Sequence, residues 1–367
     1  MAGGGTAGHV NPLLAVADEL CARDEHTRVT VLGTAVGLEA RLVPARGYPL
    51  VEIPRVPLPR RPTLDWFRLP GRLRAAVRTV RGVIDDRGID VVVGFGGYVS
   101  TPAYLAARRA GVPVVIHEQN ARPGLANRWG ARWARSVAVT FPGTPLRGAQ
   151  QTGLPLRPEI AGLVAALDRD PVGTRAAAAA ALGLDASLPT LLVTGASSGA
   201  ASLNRAVAGA AGDLVAAGIQ VLHLTGAGKA EPVLAALSDV RDAQRYHVME
   251  YLDTMQDALA VSDLAVCRAG AGTVMELAAA GVPSVFVPLP VGNGEQRLNA
   301  APVVAAGGGL LVRDADLTPS WVREHVISLL GDASRLAGMR RAAQGVGVTD
   351  AAARVTELVL AAVEGAP

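Results

Sequence analysis

The amino-acid sequence predicts an α/β protein of two Rossmann-like, doubly wound domains facing a cleft, and three observations predict it. A chain of 367 residues exceeds what one hydrophobic core usually serves, so two domains are expected. Half the residues are apolar but only 4% are aromatic, and Ala, Val, Leu and Gly dominate, as in parallel sheets flanked by helices. The chain also repeats itself. From Val91 it reads V-V-V-G-F-G-G-Y, a helix over Pro102 to Ala110, then Ala110-Gly111-Val112-Pro113 and the buried strand Val114 to His117. From Leu264 it reads strand, Arg268-Ala-Gly-Ala-Gly, helix, then Ala280-Gly281-Val282-Pro283 and the strand Ser284 to Pro288. Two similar halves of this kind present their loops at the carboxyl edges of parallel sheets, with a ligand in the cleft between them.

In chain order, Gly3-Gly4-Gly5-Thr6-Ala7-Gly8-His9 is a glycine loop, and the periodic run Pro12 to Ala22 behind it is an amphipathic helix started by Asn11 and Pro12. Such a loop normally follows a β-strand, and here that strand is expected to be missing. Losing a central strand unpairs two neighbours, so a start placed downstream of the true one is the favoured explanation. Arg28 to Leu32 is a short buried strand, Val36 to Ala45 a helix and Leu50 to Ile53 a strand, which is the βαβ rhythm of a doubly wound fold. Thr152 to Pro158, rich in Pro and Gly, is a hinge. Ala176 to Leu182 is a helix or a loosely packed excursion with no assigned function. The second half opens on the strand Thr190 to Thr194, the turn Gly195-Ala196-Ser197-Ser198-Gly199-Ala200 and the helix Leu203 to Ala217. The domains read as 1–155 and 156–345, with 346–367 carrying an amphipathic helix, Ala351 to Glu364, that packs back on the first.

Two stretches carry chemistry. Cys267 to Glu276, C-R-A-G-A-G-T-V-M-E, is a strand end, a glycine turn and the start of a helix. Gly270 and Gly272 let the backbone approach a ligand, while Arg268, Thr273 and the free N–H groups of the helix suit an anion. Glu276, one turn beyond Thr273, is placed to accept from vicinal hydroxyls such as those of a ribose. On these residues alone, a nucleotide diphosphate site and an ordinary βα turn whose arginine pairs with a local carboxylate fit equally. Pro54 to Gly82 sets Arg55, Arg60, Arg61, Arg68, Arg72, Arg74, Arg78 and Arg81 against Asp65, with Trp66, Phe67 and Leu69 among them. That mixture suits an anionic membrane surface, and equally a solvated helix face with a few core aromatics.

Composition excludes other classes. A net charge of +3 is too small to argue for nucleic acid. Every apolar stretch is broken by Pro, Gly or charge before the roughly 20 residues a membrane helix needs, and Met1 leads at once into the glycine loop without a leader pattern. A soluble or peripheral protein is expected. Cys21 and Cys267 lie far apart without metal-type spacing to histidines, which reads as a reduced intracellular chain. The opening loop lacks G-x-G-x-x-G spacing, which weighs against a NAD-dependent dehydrogenase.

Taken together, G-G-G-T-A-G-H at Gly3 to His9, G-F-G-G-Y at Gly94 to Tyr98, H-E-Q-N at His117 to Asn120, R-A-G-A-x-T-x-x-E-L at Arg268 to Leu277 and E-Q-R-L-N-A at Glu295 to Ala300 resemble one family in order over nearly the whole chain. This is the MurG-type N-acetylglucosaminyltransferases, which complete lipid II in peptidoglycan synthesis. The resemblance implies a GT-B fold and inverting transfer of N-acetylglucosamine from UDP to the 4-hydroxyl of an undecaprenyl-diphosphoryl muramyl pentapeptide (lipid I). It implies no cofactor and no metal; no Asp-x-Asp pair stands where it would hold a divalent ion. It also implies peripheral attachment to the inner leaflet on the cytoplasmic face, with Trp66, Phe67, Arg68, Leu69 and Arg72 as the contact.

By the same resemblance the donor site comprises Arg157, Ser197, Arg268, Gly272, Thr273, Glu276, Glu295 and Gln296. Glu276 would hold the ribose, Ser197 the diphosphate or the neighbouring sugar, and Glu295 and Gln296 the sugar hydroxyls. Thr6, Gly8, Tyr98, His117 and Asn120 would bind the acceptor. Its hydroxyl must lose a proton as it attacks, and His9 is the first choice of base, with Glu118 its rival. The turn Gly-Ala-Ser-Ser-Gly-Ala departs from the family's Gly-Gly-Ser-Gln-Gly-Ala, and Gly272 replaces a larger apolar residue. A paralogous transferase with another donor or lipid acceptor therefore stands as an alternative, and behind it a UDP-sugar epimerase and a non-catalytic lipid-binding relative.

Overall fold

Strand pairing is parallel throughout the two sheets of the computed structural model, which describes residues 1–54, 56, 65–195 and 199–365, without the side chains of 65–68. Two units emerge, Met1–Arg157 with Val348–Pro367, and Pro158–Gly347. In the first, β1 (Ala2–Gly3), β2 (Val31–Gly33), β3 (Leu50–Glu52), β4 (Val92–Gly96), β5 (Val114–Glu118), β6 (Ser136–Val139) and β7 (Ala149–Gln151) lie in the order β3-β2-β1-β4-β5-β6-β7. Because successive side chains of a strand face opposite ways, β4 and β5 feed two cores. Val92, Val114 and Ile116 pack with helices α3 (Asp65–Arg87) and α4 (Ser100–Ala110). Val93, Phe95 and Val115 pack with α1 (Ala7–Arg23) and with Val355 and Val359 of the closing helix Ala351–Glu364. The remaining helices used below are α2 (Glu39–Ala45) and α5 (Leu125–Gly130).

The second unit arranges β8 (Thr190–Thr194), β9 (Gln220–Leu224), β10 (Tyr246–Met249), β11 (Leu264–Cys267), β12 (Ser284–Phe286) and β13 (Gly309–Leu311) as β10-β9-β8-β11-β12-β13. Both sheets therefore follow the doubly wound order, reversing between β1 and β4 and between β8 and β11. A ligand crevice forms outside the carboxyl ends of the strands at such a reversal. The loops after these four strands are the four glycine-rich turns singled out in the sequence.

Several expectations are corrected. The strand expected to be missing is present as the two-residue β1, with Ala2 opposite both Leu32 and Gly94. The Met1 carbonyl accepts from the Leu32 N–H at 2.8 Å, and the terminal amine reaches the Thr30 carbonyl at 2.6 Å, so β2 and β4 keep a partner. Helix α1 starts at Ala7, not Pro12; the carbonyl that Pro12 leaves unbonded is four residues back on exposed Gly8, where water can reach it. Helix α2 starts at Glu39 rather than Val36. The helix expected over Leu203 to Ala217 is two, Ala201–Ala208 and Ala211–Ala216, broken at Gly209, whose Cβ would lie 2.7 Å from Pro319. The alanine-rich run belongs to a helix Pro171–Leu182 whose N-cap Asp170 accepts from the Gly173 N–H.

Gly94 in mid-strand is dictated by Tyr104 of α4, a fully buried side chain whose ring occupies the space a Cβ would take. Gly94→Ala is therefore expected to destabilise the first unit by roughly 1–3 kcal/mol through overpacking, read as a lower urea midpoint, whereas Gly88→Ala, with open space at its Cβ, isolates the backbone cost of a positive φ.

Candidate active site

At the first reversal the turns after β1 and β4 touch. A Cβ on Gly97, whose φ is +80°, would lie 2.6 Å from the Gly4 carbonyl oxygen, so this contact requires glycine. Thr6 caps α1 and is exposed with Gly8. Its hydroxyl lies 3.1 Å from His9 Nδ1, and the opposite edge of the ring lies against Gly96, 3.2 Å from where its Cβ would be. His9 is half-buried. Burial lowers its pKa from the usual value, while a backbone hydrogen bond at Gly4 and the charge of Glu39 oppose that shift. The ring is thus neutral near pH 7 and able to take a proton. Half-buried Tyr98 lies over Gly5. His9, Thr6, Gly8 and Tyr98 are brought together as the sequence suggests.

The H-E-Q-N motif is different. His117 is fully buried, with Nε2 2.9 Å from the Gly153 carbonyl and Nδ1 3.3 Å from Gln119 Nε2. Burial holds its pKa down to about 4. It fastens β5 to the segment before the unit boundary. Glu118, only 2% exposed, accepts from the backbone N–H of Asn120 at 2.9 Å, that of Gly124 at 3.0 Å and Asn127 Nδ2 at 3.0 Å. Burial raises its pKa and those donors pull it back. A carboxylate saturated in this way holds the loop in shape. Asn120 remains half-buried at the loop's edge.

At the second reversal, the helix Ala271–Ala279 is buried except for Gly272, Thr273 and Glu276. These form one accessible stripe at helical spacing, beginning at the N-terminal turn, where free N–H groups favour an anion. A Cβ on Gly272 would meet open space, so packing within the chain does not impose this glycine. Arg268 points elsewhere. It is 7% exposed and pairs with Asp314 at 2.6 Å. It also donates to the Val287 and Pro288 carbonyls at 3.0 and 3.2 Å and to Ser202 Oγ at 2.9 Å. A carboxylate does take up the guanidinium, but one brought near by the fold rather than a local one, and the pair lies within the unit. Gln296 Oε1 accepts from the N–H groups of Ala269 and Leu289 at 3.2 and 2.9 Å, so it fixes the turn as well as lying beside it; Glu295 is half-buried next to it.

Arg157 is half-buried at the last position of the first unit's long segment. Ser197 lies outside the described residues, as do the side chains of Trp66, Phe67 and Arg68. Leu69 is half-buried and Arg72 exposed on α3. No described helix is long and apolar enough to cross a membrane, and the described residues hold no group of three or more His, Cys, Asp or Glu placed for a metal ion.

Sequence reasoning missed the second layer. Glu39 and Thr34 brace the first glycine loop. Asn127, bonded to Tyr104 Oη at 2.7 Å and to Glu118, sits beneath Gly96, and Asn299 Nδ2 donates to the Ala269 carbonyl at 3.3 Å. The available signal was a charged or amide residue inside an otherwise apolar, glycine-flanked run.

Two parallel, doubly wound units, each with glycine-rich loops at its strand reversal, are the architecture of GT-B-type sugar-nucleotide enzymes. Residues 1–139 match the glycosyltransferase family 28 N-terminal domain and 190–355 its C-terminal domain. A UDP-N-acetylglucosamine–N-acetylmuramyl-(pentapeptide) pyrophosphoryl-undecaprenol N-acetylglucosamine transferase of Clavibacter sepedonicus is 56% identical over 100% of this chain and 97% of its own length. The solved MurG of Acinetobacter baumannii is 30% identical, covering 98% of both chains with a TM-score of 0.76. A UDP-N-acetylglucosamine 2-epimerase, at 17% identity and a TM-score of 0.66 over 97% of this chain and 93% of its own, shares the fold alone. The chain belongs to glycosyltransferase family 28 and, within it, to the MurG-type transferases.

Two tests follow from this geometry. With the folded pKa values of His117 and His223 held near 4 by burial against 6.5 for a free imidazole, the unfolded chain takes up protons first as pH falls. Stability is complete above pH 6.5 and declines toward pH 4, and His117→Gln should flatten that decline in urea midpoints measured across the window. Asp314→Ala strands the Arg268 charge, and a loss of about 3 kcal/mol in urea unfolding is expected.

Proposed function

We propose that this chain transfers N-acetylglucosamine, with inversion, from UDP-N-acetylglucosamine to the 4-hydroxyl of undecaprenyl-diphosphoryl muramyl pentapeptide, giving lipid II for peptidoglycan. Full-length identity of 56% to a transferase of that name carries this reading. The acceptor hydroxyl attacks the anomeric carbon on the face opposite UDP, His9 takes its proton, and UDP departs as a diphosphate. Imidazole that is neutral at pH 7 suits the first task. The helix N-terminus at Gly272 and Thr273 offsets charge on the leaving diphosphate, so no metal is required. Glu276 accepts from the ribose hydroxyls, and Glu295 and Gln296 read those of the sugar. Arg268 contributes by holding the donor turn in shape, and Ser197 and Arg157 complete the donor side.

The enzyme works as a peripheral protein on the inner leaflet, through Trp66, Phe67, Arg68, Leu69 and Arg72, with basic side chains meeting anionic headgroups. Its product places it in cell-wall growth, and so in cell shape and division. Labelled UDP-N-acetylglucosamine incubated with a short-chain lipid I analogue should yield the disaccharide. Labelled UDP-N-acetylmannosamine formed without acceptor would instead make this an epimerase. Glu276→Ala should raise the KM for the donor by about tenfold or more, the loss of a charged hydrogen-bond acceptor, and unaltered donor kinetics would remove the ribose assignment. Arg68→Glu with Arg72→Glu should weaken sedimentation with anionic vesicles but not with neutral ones.

A further inference from the structure

Glu39 has no part in the reading above, yet the fold builds a cradle for it. Its side chain is wholly buried, and the donors that hold it are neutral. Oε2 accepts the Gly5 N–H at 2.9 Å, and Oε1 accepts the N–H and hydroxyl of Thr34 at 3.2 and 3.0 Å. Glycines on three segments make the room. A Cβ on Gly4 would lie 2.7 Å from Oε1, one on Gly33 2.6 Å from Cγ, and one on Gly37 would overlap the carboxylate. The Thr34 hydroxyl also meets Tyr98 Oη at 3.2 Å, and the Tyr98 ring closes over Gly5. The chain Gly5, Glu39, Thr34, Tyr98 is thus a closed brace around the loop that carries His9.

A buried carboxylate is costly, and neutral groups brace a loop at lower cost. The charge therefore needs a use of its own, and His9 supplies it. Of the ionisable groups on the elements packed around the loop, Tyr98 lies over Gly5, and Glu118 stands behind Asn127, to which it is bonded. Glu39 lies directly beneath the loop, its carboxylate against Gly4 and bonded to the Gly5 N–H four residues before His9, and a negative charge there favours the protonated ring against the effect of burial. We propose that Glu39 is the positioning residue of the acceptor half: it fixes the glycine loop and stabilises His9 as an imidazolium once the ring has taken the acceptor proton. This rests on His9 being the base.

The test compares Glu39→Gln, nearly isosteric but uncharged, with Thr34→Val, which cuts the brace to Tyr98 and leaves the charge. Each variant is first checked for an unchanged near-UV spectrum. His9 is titrated by NMR in both, using His9→Gln to assign its signal, and kcat and KM are followed against pH. In Glu39→Gln the His9 titration should move to lower pH, the acidic limb of kcat should move with it, and kcat at its plateau should fall about tenfold, in the range of a weakened general base, with the donor KM little altered. In Thr34→Val the titration should stay in place. An unmoved His9 titration in Glu39→Gln, or an equal displacement in Thr34→Val, overturns the proposal. A titration that moves while the acidic limb of kcat stays fixed supports the coupling of Glu39 to His9 and overturns the assignment of His9 as base.

Discussion

The first unit depends on the pairing of a strand only two residues long. β1 sits at the centre of its sheet, between β2 and β4, and both neighbours bury their side chains on each face. Without Ala2 and Gly3 to bond, the inner edges of β2 and β4 would present unpaired backbone groups inside the protein, each costing about 1–3 kcal/mol. Everything that follows β1, including the glycine loop and His9, takes its position from this short pairing.

Each reversal point is also where the chain concentrates buried polar groups. The apolar clusters are built mainly from Val, Leu, Ala and Ile, though buried polar groups such as Gln220, His223, Ser262 and Thr356 also lie away from these points. Around the turns after β1, β4 and β5 lie Glu39, Thr34, Ser100, His117, Glu118 and Asn127; around those after β8 and β11 lie Arg268, Asn299 and Thr194. Their shared work is to give backbone N–H and carbonyl groups of irregular loops a partner where a sheet or helix no longer does. Ser100, for example, donates within hydrogen-bond distance of both the Ala2 and Gly96 carbonyls, at 3.0 and 2.7 Å, tying the ends of β1 and β4 together.

The doubly wound class was legible because it rests on coarse features, chain length, few aromatics and a repeated strand-turn-helix pattern. That His9 and Tyr98 lie at glycine turns, and that Thr273 and Glu276 share one helix face, was legible because turn glycines and a helical period can be counted. Boundaries failed where tertiary contacts overrode local signals, as at Gly209 against Pro319. β1 was missed because two residues carry no periodicity at all. Arg268 shows the limit for charges: its sequence neighbours suit an anion, but its partner Asp314 lies 46 residues away, brought near only by the return of the chain after β13. The burial of His117 and Glu118 was not legible for a related reason, since a polar residue at a strand end reads the same whether it faces a ligand or a loop.

The two reversal points share a backbone design but carry different electrostatics. Beside His9 the chain buries Glu39 among neutral donors, and farther back Glu118. Negative charge held in a poorly polarisable setting makes a nearby base a better proton acceptor than burial alone would leave it. Beside Thr273 the charge of Arg268 is paired with Asp314, and the helix N-terminus adds positive potential of its own. That source is weaker than a free guanidinium but directional, and it is spread over several N–H groups. An anion held this way gains stability without a tight, charge-neutralised pair that would resist release.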